Sequence, residues 1–541
     1  MTNPSLQIGD GNWAYKEDNL LGYAVSPVNN KFLPREMTFT RASDGTRVNE
    51  DGLVENMPWN LVQYSEQFEN AAWSKTAISV SANAATSPDG TQNADLFTES
   101  TGTINPSIRQ NLGASTTTSV TLSVFAKPNG RDYLYLALTG SDAIIFNISN
   151  GTVGTTLGTI DSYSIDNMGD GWYRCSASKS TNQRDANFGP KATNAFGTYT
   201  GDGTSGIYIW GAQLNLGSTA KPYFPTTNRQ DVPRIDYSSG TGALLLEPQR
   251  TNLLSYSESM SGWAAANGAT IDGVKSFTLP SSISRIQAGS IGNPSGDFVF
   301  YAVFDSDDIG KTIKLAYYDV TLGGWNQGTD ITIDANGRAE RTISTGSNIV
   351  GNVAFYGKST SESYTIKYCQ FEQGSYPTSY IKTTGSSVTR LADSCYKTGV
   401  ADWIGQTEGT LFVEASTLVN GADGRITISD GTINNRVSIE WDIDADTIKG
   451  FIGVGGNVST TSHDQTDRNK IALVYSTSFA KLFVNGTLVA TDTSSIPTMS
   501  GMAHIEYSNY GGTTPFVGNL YQTIVIPTAL TDADAITLTT I

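Results

Sequence analysis

NLVQYSEQFENAAW, residues 60–73, is answered 192 positions later by NLLSYSESMSGW, residues 252–263. The two stretches open two units that also close alike. YIWGAQLNLGSTAKPYFPTT (208–227) ends the first and YCQFEQGSYPTSYIKTT (368–384) ends the second. Both closings run as a strand, a Gln, a Gly-Ser turn, a Pro and an extended Thr-Thr exit. Related connectors precede the units: RASDGTRVNEDGLVENMPW (41–59) and VPRIDYSSGTGALLLEPQR (232–250). The chain therefore carries two copies of one domain.

The surrounding sequence sets the class of that domain. Fifteen Asn-Gly or Asp-Gly pairs punctuate the chain, among them Asn129-Gly130, Asn150-Gly151, Asn336-Gly337 and Asn485-Gly486. Such pairs tolerate the positive φ that tight hairpins require. Between them lie short runs with period-two alternation or β-branched and aromatic enrichment: SVTLSVFAK, DYLYLALTG, GIYIWGAQL, DFVFYAVF, TIKLAYYDV and KIALVYS. Helical periodicity is confined to TDADAITL (531–538), where Thr531 is placed to cap a helix opening on acids. The fold class is all-β, built of tandem antiparallel β-sandwiches rather than solenoid rungs. After Thr384 the pattern changes to EGTLFVEAS, NNRVSIEWDI and NKIALVYSTSFAKLFVNGTLVATD, whose Val-Asn-Gly turn between strands reads as a hairpin in a third domain.

The opening NLVQYSEQFENAAW, the DGWYRCSAS strand (170–178) and the YIWGAQL…YFPTT close resemble the carbohydrate-binding-module-like jelly rolls of tailed-phage structural proteins. KLFVNGTLVAT…FVGNLYQTIVI…ALTDADAI resembles a concanavalin A-like, laminin-G-type lectin sandwich. The order of parts is similar to that of phage fibre, tail and head-surface proteins. The resemblance implies an attachment or connector segment at 1–58 and a first jelly roll at 59–228. A connector at 229–250, a second jelly roll at 251–385 and a concanavalin A-like domain at 386–541 follow. The second copy lacks a counterpart to DGWYRCSAS and to the Ser87–Gly90 stretch, so the resemblance carries no ligand role over to it.

Composition narrows the chemistry. The chain has 541 residues, a formal charge of −17 and only 16% charged residues. An acidic surface argues against nucleic acid, whose binding draws on Lys and Arg to release counterions. No run approaches the ~20 apolar residues of a membrane helix. The start, MTNPSLQIGDGNW, shows no basic-then-apolar signal peptide, so synthesis in the host cytoplasm is expected. Cys175, Cys369 and Cys395 are an odd, scattered set, read as buried thiols without a structural disulfide.

Catalytic motifs are sparse. Glu440, Asp442 and Asp444 alternate along one strand, an arrangement that resembles laminarinase-type glycosidases. The third acid is a short Asp, and Asp444-Ala445-Asp446-Thr447 reads as a turn, so a solvated acidic strand is the expectation. The same stretch cannot be an EF-hand, because Thr447 and Gly453 stand where Gly and Glu are needed. Gly201–Gly206 matches G-x-G-x-x-G in spacing but precedes a strand, so it reads as a turn. His463 and His504, the two histidines of the chain, are expected to be structural or solvated.

Binding is better supplied. Sugars are held by stacking on aromatic rings and by polar groups that set orientation. In DYLYLAL, Tyr133 and Tyr135 share one strand face, with Leu134 and Leu136 on the other. Trp172, Tyr173 and Trp210 join them as candidates in the first jelly roll, with Trp441, Asn485, Tyr507 and Tyr510 in the lectin-like domain. For each aromatic the competing reading is core packing. The expectation is a non-enzymatic virion surface protein that binds host-surface or environmental glycans and meets other virion proteins through its N-terminal segment. No catalytic residue, metal ligand or cofactor is expected; the structural calcium of related jelly rolls has no identifiable site. Alternatives are a depolymerase using Glu440 and Asp444, and a purely structural decoration protein. The fibre resemblance suggests a homo-oligomer, a trimer by analogy, although no heptad seam supports one.

Overall fold

A computed structural model describes residues 4–9, 15–16, 19–25, 32–57, 60–227, 232–442, 447–459, 463–494 and 496–541. The described chain is almost entirely antiparallel β-structure and divides into two compact units. One comprises residues 15–19 and 56–232. The other comprises residues 1–14, 20–55 and 233–541.

The first unit is built around two long strands, Ser107–Asn129 and Trp172–Lys191, which pair along most of their length. A flat 20-residue strand is rare because twist accumulates. Here the register shifts twice, between Asn111 and Thr118, next to Gly113 at φ +76°. The two strands thereby serve two layers. One layer adds Tyr133–Ala137, Ala143–Asn147 and Thr152–Leu157; the other adds Ser162–Gly169, Gly206–Leu216, Ala94–Glu99 and Ile78–Ala85. Their inner faces meet in one core, which holds Leu134 and Leu136 together with Val120, Leu122 and Val124. Phe68, Trp73, Phe97 and Phe188 pack against one another within it, tilted, edge-on or stacked.

The second unit contains a jelly roll of the same plan. Arg338–Tyr356 pairs with Ser295–Phe304 through its first half and with Thr312–Asp319 through its second, and Glu362–Gln373 flanks Ser295–Phe304. Asn252 makes the bonds of Asn60, and the chain's return over it is held in each copy by a Gln carbonyl, Gln213 to Phe224 N and Gln370 to Ile381 N.

The C-terminal sandwich has one sheet around Gly518–Ile526, paired to Gly409–Thr417 and through it to Asn469–Tyr475, Ala480–Val484 and Thr487–Asp492. The other sheet runs Phe32–Thr40, Ser394–Thr398, His504–Glu506, Gly424–Ser429, Arg436–Trp441, Ile448–Ile452, Gly456–Ser459. Its N-terminal strands come from the far end of the chain. Leu6–Gly9 pairs with Gln522–Val525, and Ala243–Leu246 of the second connector pairs with the same strand at 518–520. The attachment or connector segment thus contributes strands to two sheets. The helix Asp532–Thr539 is capped as its sequence predicts, with the Thr531 hydroxyl accepting from Asp534 N, and Leu530 and Ala535 pack on Phe412, Phe483 and Ile524.

A buried ionic cluster joins the connectors to both sandwiches of this unit. Arg41, Arg234 and Arg390 are each at most 1% exposed. Arg41 pairs with Asp393 at 3.1 Å, Arg234 with Glu247 at 2.7 Å and with Asp393, and Arg390 with Glu247 at 2.6 Å. Ser379 adds its N–H and hydroxyl to the two Glu247 oxygens. Buried carboxylates are tolerated only when paired and bonded in this way. Burial pushes the Glu247 carboxyl up, but the guanidinium groups of Arg390 and Arg234 outweigh it and hold it at about 2.

Candidate functional site

Period-two alternation puts Tyr133 and Tyr135 on one face, as the sequence predicts, but Tyr135 is covered and Tyr133 is half-buried beside it. Tyr135 is 6% exposed and packs with Ala137, Ala143, Ile145 and Phe196, while the Lys191 ammonium lies 4.9 Å over its ring. Lys191 is itself held by Gly197 O and Asn105 Oδ1. Trp172 and Trp210 are buried in a second cluster with Phe125, and Trp172 Nε1 donates to Thr86 O. Tyr173 is half-buried against the main core. In the C-terminal sandwich Trp441 is fully buried against Phe516, Tyr507 is buried, and Tyr510 is half-buried over Arg436. Asn485 is a turn residue at φ +50°, bonded to Asn469 and Lys470. The buried rings of the first unit belong to separate clusters on sheet faces turned away from its main core, since Leu134, Leu136, Cys175 and Ile209 of the same strands enter that core, while Tyr133, Tyr173 and Tyr510 stay half-buried. None of the enclosed ones offers a free ring face to a sugar.

The acidic strand is likewise engaged. Glu440 is buried and paired with Arg425 at 2.9 Å, and Asp442 pairs with Lys449. Asp444 lies outside the described residues. The Gly201–Gly206 stretch is a turn in which Asp202 accepts the N–H groups of Thr204 and Ser205. All three cysteines are free and buried. Among the described residues no group of three or more His, Cys, Asp or Glu side chains is placed to hold a metal ion.

A cavity lined by tyrosines lies in the second unit, where the second jelly roll, both connectors and the C-terminal sandwich meet. Its volume is about 290 Å³. The strand DFVFYAVF explains its floor. Phe298, Phe300 and Ala302 enter the core, which sends Tyr301 to the opposite face. Tyr368 and Arg338 come from the two flanking strands, and Tyr380 from the closing stretch. Arg338 lies 3.8 Å above the Tyr301 ring and pairs with Glu340 at 2.7 Å. Tyr368 stacks on Tyr380 with centroids 4.2 Å apart. Tyr301 is almost fully buried, whereas Tyr368 is only half-buried.

The walls also include Val48 and Val54 of the first connector, Asp236 and Leu245 of the second, and Leu418 and Asn519 of the sandwich. Asn519 Oδ1 is buried without a hydrogen-bond partner. The cleft thus combines a half-buried aromatic ring, apolar walls and a few polar groups, the composition of small-molecule sites. None of its residues was singled out from the sequence. The signal was present, since Tyr301 interrupts the apolar set of DFVFYAVF and Tyr368 and Tyr380 fall inside the repeated closing stretch. Their convergence depends on residues from four distant segments.

No protein-family model and no curated protein matches the chain. Among solved structures, the chain is similar to the sialidase CBM40 of Ruminococcus gnavus bound to alpha2,3 sialyllactose. The identity is 18% over 25% of this chain and 84% of that one, with a TM-score of 0.22. It is also similar to the CBM22-1–CBM22-2 tandem of Paenibacillus barcinonensis Xyn10C, at 11% identity over 58% and 97% of the chains and a TM-score of 0.20. Mouse laminin alpha1 domains LG4-5 align at 11% identity over 54% and 95%, with a TM-score of 0.19. At such scores none of them bears on the function of this chain.

Proposed function

We propose that the protein is a non-catalytic, glycan-binding surface protein whose sugar site is the cleft around Tyr368. The observation that carries this reading is the half-buried Tyr368 ring, braced by Tyr380, in a cleft whose lining combines apolar side chains with a few polar ones. Stacking of a sugar on an aromatic face, fixed by a few directed hydrogen bonds, is the general mode of carbohydrate recognition. The finer setting, display on a phage particle for adhesion to host-surface or environmental polysaccharide, is supported by the resemblance of the repeated openings and closings to such modules. Modest sites presented in many copies gain avidity through effective concentration. Contacts with other virion proteins and homo-oligomerisation belong to the same proposal.

The test is a glycan array probed with the full chain and with Tyr368→Ala. Retention by the parent and loss by a variant of unchanged thermal stability supports the reading; equal retention by both removes the cleft from it. Unchanged polysaccharide chain length after incubation separates binding from depolymerisation. Gold-labelled antibody against residues 386–541 on particles tests the virion setting.

A further inference from the structure

The charges of the cleft are already matched, and this bears on which sugars it accepts. Arg338 is paired with Glu340, and Arg47 donates to Glu55 at 2.8 Å. Glu247 is occupied by Arg234, Arg390 and Ser379. The Asp236 carboxylate accepts the N–H groups of Val48 and Ser238. Each arginine in the wall is thus committed to a carboxylate, so a ligand on the half-buried Tyr368 ring meets the Arg338–Glu340 ion pair rather than an uncommitted cation. An incoming carboxylate or sulfate would lie among Asp236, Glu247 and Glu340, with the lining arginines Arg47 and Arg338 each already facing a carboxylate. Removing an anion from water without a new cation costs more than neutral hydrogen bonds return.

Size points to the same end of the glycan range. At about 290 Å³ the cavity stands at the lower edge of small-molecule sites, which run from ~300 to ~1,000 Å³. It fits one ring and part of a second rather than an extended chain. Resting on the glycan-binding reading above, we infer that the cleft selects an uncharged terminal sugar unit and rejects uronic, sialic and sulfated ones. Rejection is achieved by the Arg338–Glu340 pairing, which withholds the cation an acidic sugar needs, an exclusion built from an absent attraction as much as from repulsion.

The full chain is assayed by calorimetry against neutral oligosaccharides and against counterparts ending in a uronic acid, a sialic acid or a sulfated sugar, at ~0.15 M salt. The expected result is measurable affinity for one or more neutral termini, at least about tenfold weaker affinity for their acidic counterparts, and loss of the neutral binding in Tyr368→Ala. Glu340→Gln releases Arg338 and is expected to narrow the gap by about tenfold, by admitting the acidic terminus. Equal or tighter binding of acidic termini by the parent overturns the selectivity while leaving glycan binding intact. Neutral binding that survives Tyr368→Ala overturns the assignment to this cleft. An absence of binding to either class overturns the glycan reading together with it.

Discussion

Asn60 and Asn252 occupy the same place in two copies of one domain and make the same four hydrogen bonds. Nδ2 of Asn60 donates to Ala212 O and Phe224 O, and Oδ1 accepts from Val62 N and Leu214 N. Nδ2 of Asn252 donates to Cys369 O and Ile381 O, and Oδ1 accepts from Leu254 N and Phe371 N. Each side chain stitches the opening segment to the last strand and to the chain returning over it. The Trp that closes each opening donates to the Tyr carbonyl of the same motif, Trp73 to Tyr64 and Trp263 to Tyr256. The repeated residues are therefore the clasp of the domain, which explains why the copies agree at their two ends and diverge between.

Removing either clasp leaves several buried backbone groups unpaired. Asn60→Ala and Asn252→Ala are each expected to cost about 2–4 kcal/mol, since one unsatisfied buried group costs ~1–3 kcal/mol. Denaturant unfolding of each variant checks this; a loss below about 1 kcal/mol in both would deny the clasp its role.

The Glu247 cluster is expected to tie stability to acid. Its folded carboxyl, held at about 2 by Arg390 and Arg234 against the cost of burial, lies below the ordinary 4.5. A depressed carboxyl contributes stability that is complete above the unfolded value and is lost as pH falls through the folded one, here from about 4.5 to 2. Glu247→Ala should lower stability at neutral pH by about 3–5 kcal/mol, because it strands buried guanidinium groups. Unfolding measured from pH 2 to 7 should show the parent's decline in this window reduced in Glu247→Gln.

Asp95 is expected to act with the opposite sign. Burial raises its carboxyl to about 6, the N–H groups of Asn83 and Phe68 offset part of the rise, and neighbouring Glu69 adds to it. The unfolded chain ionises first, so this group's contribution is largest below 3.8 and is lost as pH rises towards 6. Asp95→Asn should flatten that segment of the stability profile by about 1–3 kcal/mol. An unaltered slope between pH 4 and 6 would contradict it.

Cys175, Cys369 and Cys395 are buried, and burial pushes each thiol up, away from the reactive thiolate. A colourless thiol assay on the native protein and three equivalents released in guanidinium is the expected result. Prompt reaction of any thiol in the native state would show an opening that exposes it.

Deleting residues 1–9 is expected to destabilise the C-terminal sandwich, since Leu6–Gly9 covers the edge of Gly518–Ile526 and Leu6 and Ile8 are buried. An uncovered edge invites pairing with other chains. Lowered melting temperature with concentration-dependent aggregation checks it, and unchanged melting would make the strand dispensable.

The all-β class, the repeated Asn60 and Asn252 clasp and the Thr531 cap were legible in the chain because each is written in local code. Turn pairs, period-two alternation and caps act over a few residues, and a duplicated clasp reads as a duplicated string. The aromatic candidates shared that local logic and reached its limit. Alternation correctly paired Tyr133 with Tyr135, yet nothing within the strand reveals that Phe196 and Lys191 lie over that face. Which face of a sheet is covered, and by what, is decided by segments far away in sequence. The same holds for the N-terminal strands, whose partner is the last strand of the chain, and for the cleft, where Tyr301, Tyr368, Asn519 and Asp236 meet only after three sandwich and connector segments have closed on one another. Local sequence determined the elements and their repetition, because hydrogen-bonding geometry and side-chain period are short-range. Tertiary structure alone decided which aromatic rings are enclosed and which stay partly exposed, because burial is the sum of contacts that no single segment contains.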